Sequence, residues 1–86
     1  MNNGGTANPQ IVKEVTELVA KLIKLPVEQI DPNANIFSEL GIDSLLGVEV
    51  FAALDRKYGV NLPEEKLRHI NSVMDIAKLV DELKSR

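Results

Sequence analysis

The chain contains no cysteine. That excludes a disulfide frame, a thiolate metal site and a cysteine nucleophile, so packing must hold the fold and any thiol must be supplied by a group the chain does not encode. Long hydrophobic runs are also missing. The longest apolar stretches are a few residues, against the ~20 that a membrane-spanning helix needs, and no basic-then-apolar leader opens the sequence. The expectation is a cytoplasmic protein without membrane insertion. Surplus positive charge is absent too. Thirteen acidic against ten basic residues leave a net charge of -3, which argues against neutralising nucleic-acid phosphates or lying on anionic lipid and favours partners with basic surfaces. Eighty-six residues make at most one domain, with much of its surface in water and little room for a buried catalytic cleft.

The composition, 44% hydrophobic and 27% charged, is that of a chain able to form a modest core. Residues 1–7 are small and polar and read as a mobile tail, leaving 8–86 as the domain. Asn8 then Pro9 is a helix opening, the asparagine as cap and the proline at the first helical position. Ile11, Val15, Leu18, Val19, Leu22 and Ile23 follow at helical spacing, and Pro26 ends the run. Residues 25–43 hold two prolines, two asparagines and a glycine among Ile30, Ile36, Phe37, Leu40 and Ile42, the pattern of a long loop pinned down by its apolar side chains. A second helix is predicted from Ser44, with Leu45, Val48, Phe51, Ala52, Leu54 and Tyr58 as its apolar positions and Gly59 as its terminal cap. Pro63, Glu64 and Glu65 begin a short third helix running to His69. Ser72 with Asp75 forms a variant capping box ahead of Val73, Ile76, Ala77, Val80 and Leu83. The predicted fold is all-α, a monomeric four-helix bundle with three longer helices, one short third helix and a long loop between helices one and two. Phe37, Leu40 and Tyr58 are expected to join the helical stripes in its core.

The most informative stretch runs from Phe37 through Leu40-Gly41-Ile42-Asp43-Ser44-Leu45, where a glycine turn delivers a serine to the start of an amphipathic helix. Amides without intrahelical partners point outward there, and the helix dipole favours an anion, so a phosphodiester on Ser44 would sit in a supportive field. A bare Asp-Ser-Leu is more often just a helix cap. Here a long loop, a following helix, a short helix and a final helix surround it.

With that arrangement the chain resembles the acyl carrier proteins of fatty acid and polyketide synthesis, over about residues 9 to 84. Their signature is a leucine-glycine-x-aspartate-serine-leucine run at the start of the second of four helices. The likeness continues through Val48-Glu49, the 54–58 end of helix two, and Ile70-Asn71-Ser72-Val73. The resemblance implies a non-catalytic carrier whose Ser44 receives a covalent 4'-phosphopantetheine arm from coenzyme A through a phosphopantetheinyl transferase. Acyl groups would ride on the arm's thiol as thioesters and be presented to acyl-transferring, condensing and modifying enzymes. It also implies partner recognition by Asp43, Glu49 and Asp55. Leu46 stands where fatty-acid carriers usually have a second acid, and Arg56-Lys57 replace what is often a run of glutamates, so Leu45 and Leu46 become a candidate apolar contact patch and the chain leans toward a dedicated polyketide-type pathway. Gly47, costly inside a helix, is either offset by close helix contact or room for the arm, or is an accidental glycine.

Other readings fit less well. A Gly-Asp-Ser-Leu hydrolase with His69 as base is contradicted by the inserted Ile42 and by the chain's length. Asp31-x-Asn33-x-Asn35 begins like a calcium loop, but Ile36 and Ile42 occupy the positions that need glycine and glutamate, so no metal site is expected. An aminoacyl or peptidyl carrier, or an unmodified helical interaction adaptor, are the remaining alternatives.

Overall fold

Asn8 and Pro9 start the first helix by the two devices their order implies. The Asn8 side chain accepts from the Gln10 amide at 2.8 Å, and Pro9 occupies the first helical position, where no donor is wasted. The computed structural model describes residues 7–85, so the first six residues of the expected tail lie outside the described residues. Ala7, its last residue, is buried in the core. Three helices of twelve to fifteen residues, α1 (Pro9–Ile23), α2 (Ser44–Tyr58) and α3 (Val73–Lys84), make the bundle. Two 3₁₀ segments join them, a single turn at Val27–Gln29 and a six-residue helix at Glu64–His69, which is the expected short third helix. The described residues form no strand.

The helix ends follow the sequence signals. Lys24, in the left-handed conformation, closes α1 ahead of Pro26, and Gly59, at φ +66°, closes α2. Ser72 accepts from the Asp75 amide at 3.1 Å while the Asp75 carboxylate accepts from the Asn71 amide at 2.9 Å, a reciprocal arrangement that starts α3.

α1 packs mainly on α3, and the Asn8 amide donates to Asp81 Oδ2 at 3.0 Å, tying the start of one helix to the far end of the other. Val15, Val19, Val50, Leu54, Ile76 and Val80 lie at the centre of the core. At the lower end of α2 the Tyr58 hydroxyl donates to Glu14 of α1, with the Lys57 and Lys84 ammonium groups 5.6 and 5.1 Å from the ring centre. This bond, and then one from Gln10, hold the Glu14 carboxyl below its ordinary 4.5. Burial first, and the bond to Glu14 second, push the Tyr58 hydroxyl well above its ordinary 10.0.

The core face of α2 differs from the expected stripe. Gly47, Val50, Phe51 and Leu54 are buried, whereas Leu45 is 72% exposed. Spacings of three and four from Gly47 define the inward face, and Leu45 falls outside it.

The long loop is docked, though not by all the residues expected. Ile30, Ile36 and Ile42 are buried, and Leu40 is half-buried. The Ile36 amide donates to the Asn71 carbonyl at 2.7 Å, Ile42 to Ile36 at 2.9 Å, and Met74 of α3 to Pro32 at 2.9 Å, so the loop's backbone is tied to the start of α3 and to itself. Phe37, expected in the core, is 36% exposed. The Asn35 side chain accepts from both the Phe37 and Ser38 amides at 2.8 Å, forming a tight turn in which Ile36 faces inward and its neighbour faces out.

Candidate functional site

Gly41, at φ +73°, turns the chain so that Ile42 plugs into the core and Asp43 arrives extended at the head of α2. Asp43, not Ser44, is the cap: its carboxylate accepts from the Leu46 amide at 2.8 Å, and its carbonyl accepts from Gly47 at 2.9 Å. Ser44 is therefore the first helical residue. It is exposed, and its hydroxyl makes no hydrogen bond among the described residues. Of the first-turn amides only Leu46's is taken by Asp43, so those of Ser44 and Leu45 lack an intrahelical partner, at the positive end of the helix dipole.

Beside Ser44 lies a solvent-open groove of about 330 Å³, lined by Phe37, Ser44, Val48, Glu64, Leu67 and Arg68. One wall is α2 and the other is the 3₁₀ helix. They meet closely because Gly47 has no side chain: a Cβ there would stand 3.0 Å from both terminal carbons of Leu67. This close contact explains the mid-helix glycine, whose intrinsic cost of about 1 kcal/mol is offset by the packing it permits. The exposed, unbonded hydroxyl opening into a mostly apolar groove with one cationic side chain suits a slender, singly anionic group esterified to Ser44.

The remaining expected site residues are spread over α2. Glu49 is exposed about one and a half turns beyond Ser44, and Leu45 projects into solvent beside the serine. Leu46 is half-buried and packs on the core, so it is less available as a contact than its neighbour. Asp55 is half-buried, and its carboxylate accepts from the Leu62 amide at 2.8 Å, which fixes the turn leading into the 3₁₀ helix. Arg68, Glu64, Leu67 and the outward placement of Phe37 were not foreseen. Only Gly47 hinted that another element comes close. His69 is exposed, and no group of three or more metal-ligating side chains gathers among the described residues. In the rejected calcium-like segment Asp31 and Asn35 instead accept from backbone amides two and three residues on.

Comparison with known proteins adds the family. Residues 13–80 match the family model for the phosphopantetheine attachment site. The chain belongs to the acyl carrier protein family. Its cofactor is accordingly a covalently attached 4'-phosphopantetheine. It is 31% identical over 74 residues to an acyl carrier protein of Helicobacter pylori (strain G27), covering 86% of this chain and 95% of that one. The chloroplastic acyl carrier protein 1 of Casuarina glauca is 35% identical over 77 residues, 90% of this chain but only 57% of that protein, so the chain spans little more than half of the plastid relative. The NMR structure of the HMG-ACPI domain from the CurA module of Lyngbya majuscula shares the fold, with a TM-score of 0.74 at 22% identity, covering 99% of this carrier and 94% of that domain. No helix of the described part of this acyl carrier is long and apolar enough to cross a membrane.

Proposed function

We propose that Ser44 is the attachment point of the 4'-phosphopantetheine arm and that the chain, without catalysis of its own, presents acyl groups to enzymes of a fatty acid or polyketide-type pathway. The observation that carries this reading is the division of labour at the head of α2. Asp43 takes the capping role and leaves the Ser44 hydroxyl exposed and unbonded. Once attached, the arm supplies a thiol, which the chain lacks, to hold the acyl group as a thioester.

This chain's own residues do the rest. The first-turn amides of α2 and its dipole stabilise negative charge at the Ser44 oxygen. Asp43 orients that turn by holding the Leu46 amide. Leu45, 72% exposed, and Glu49 offer an apolar and an acidic contact on one side of α2 beside the serine, suited to a partner with an apolar spot ringed by basic residues. Leu46 and Asp55, expected as contacts as well, have first duties in packing and in holding the Leu62 turn.

The test is incubation with coenzyme A, magnesium and a broad-specificity phosphopantetheinyl transferase. Wild-type protein should gain the mass of one phosphopantetheinyl group, and Ser44→Ala should gain none. A wild-type mass unchanged across several transferases contradicts the reading and favours an unmodified interaction adaptor.

A further inference from the structure

We propose that Arg68 pairs with the phosphodiester of the arm and so lays the arm back along the groove between α2 and the 3₁₀ helix; this rests on attachment at Ser44. The attachment hydroxyl itself lines the groove, so an arm leaving Ser44 has the groove directly beside it. Among the described residues Arg68 is the only cationic side chain lining it. It is exposed and pairs with no carboxylate among the described residues, although Glu64 lines the same groove. A guanidinium with unused donors next to a site that acquires a phosphodiester is electrostatically complementary to it, and its planar fork suits two phosphate oxygens.

The position of Arg68 is not left to a mobile loop. Its neighbour Leu67 is buried against Gly47, and the Leu62 amide is held by Asp55 just upstream. These two contacts fix the 3₁₀ helix on α2 and thereby carry Arg68 to the groove. The other lining groups match the arm's chemistry beyond its phosphate. Phe37, Val48 and Leu67 provide apolar walls for the geminal methyl groups. The Glu64 carboxylate repels the phosphodiester and accepts from the hydroxyl or amide N–H groups further along. At about 330 Å³ the groove is near the lower end of the roughly 300–1,000 Å³ of ligand sites, room for one slender group.

The test uses holo protein, with loading confirmed by mass, and reads two signals: the ³¹P shift of the phosphodiester and the cross-relaxation between the arm's geminal methyls and the methyls of Val48 and Leu67. Wild type should show both the cross-relaxation and a ³¹P shift displaced from that of free phosphopantetheine. Arg68→Gln should retain the helical spectrum but weaken the cross-relaxation about threefold, the population change expected when an exposed ion pair is lost. Arg68→Lys, which keeps a point charge without the fork, should fall between them. Added salt should reduce the wild-type signal and leave Arg68→Gln unchanged. Cross-relaxation and ³¹P shift that are the same in Arg68→Gln as in wild type, or absent from a loaded wild type, overturn the clamp while leaving Ser44 attachment intact. A wild type that cannot be loaded overturns the attachment reading and the clamp with it.

Discussion

Asp55→Ala should cost about 2 kcal/mol of stability. The Asp55 carboxylate accepts from the Leu62 amide at 2.8 Å across seven residues, at a position where the Leu62 side chain is only 4% exposed. Removing the acceptor leaves that partly buried N–H unpaired, and an unsatisfied buried donor costs about 1–3 kcal/mol, toward the upper part when the lost acceptor was charged. The turn it holds feeds the 3₁₀ helix whose Leu67 and Arg68 line the groove beside Ser44. Urea unfolding followed by far-ultraviolet circular dichroism reads the loss directly. For a domain of this size, thermal melting should drop by roughly 8–16 °C at 2 kcal/mol. Asp55→Asn, which keeps a carbonyl acceptor, should lose about half as much. If Asp55→Ala stays within about 0.5 kcal/mol of wild type, as an ordinary surface change would, the bond does not hold the turn and Asp55 is free to be a partner contact after all.

Phe37→Ala should lose about 1–2 kcal/mol, below the roughly 3–5 of a fully buried phenylalanine, because its ring is 36% exposed; urea unfolding giving more than 3 kcal/mol would put the ring in the core. Tyr58→Phe should be less stable than wild type at neutral pH. Because the Glu14 carboxyl is lowered by this bond, that advantage is full above 4.5 and is lost as pH falls through the lower folded value; because the Tyr58 hydroxyl is raised, its share is full below 10.0 and fades as pH rises beyond it. Melting temperatures of both proteins measured across pH check this, and a gap that is constant into the acid range contradicts it. Leu45→Asp and Glu49→Lys should each leave stability within about 0.5 kcal/mol yet slow transferase loading, and unchanged loading kinetics in both would remove them from the contact surface.

The helices were legible wherever a local device set them. Asn8-Pro9, Gly59, and Ser72 with Asp75 mark boundaries through bonds within one turn, so sequence neighbours alone specify them. The helix start at Ser44 was legible for the same reason, through the bond from the Leu46 amide to Asp43. What could not be read depends on distant partners. Nothing in a loop without periodicity tells Ile36 from Phe37; the choice is made by the Asn71 carbonyl, thirty-five residues away, which takes the Ile36 amide. Asp55 looked like any acid on a helix face until the returning chain placed the Leu62 amide against it. Arg68 carried no sequence signal, because its relation to Ser44 exists only once Leu67 is seated on Gly47.

Attachment of the arm at Ser44, as proposed, is separable by experiment from modification elsewhere on the chain. Tryptic cleavage after Lys24 and Arg56 releases residues 25–56, a peptide with two serines, Ser38 and Ser44, both exposed. Fragmentation mass spectrometry of that peptide from transferase-treated protein should place the added phosphopantetheinyl mass on Ser44, with Ser38 unmodified. Mass on Ser38, or a peptide with no addition from protein whose intact mass has risen, would contradict it.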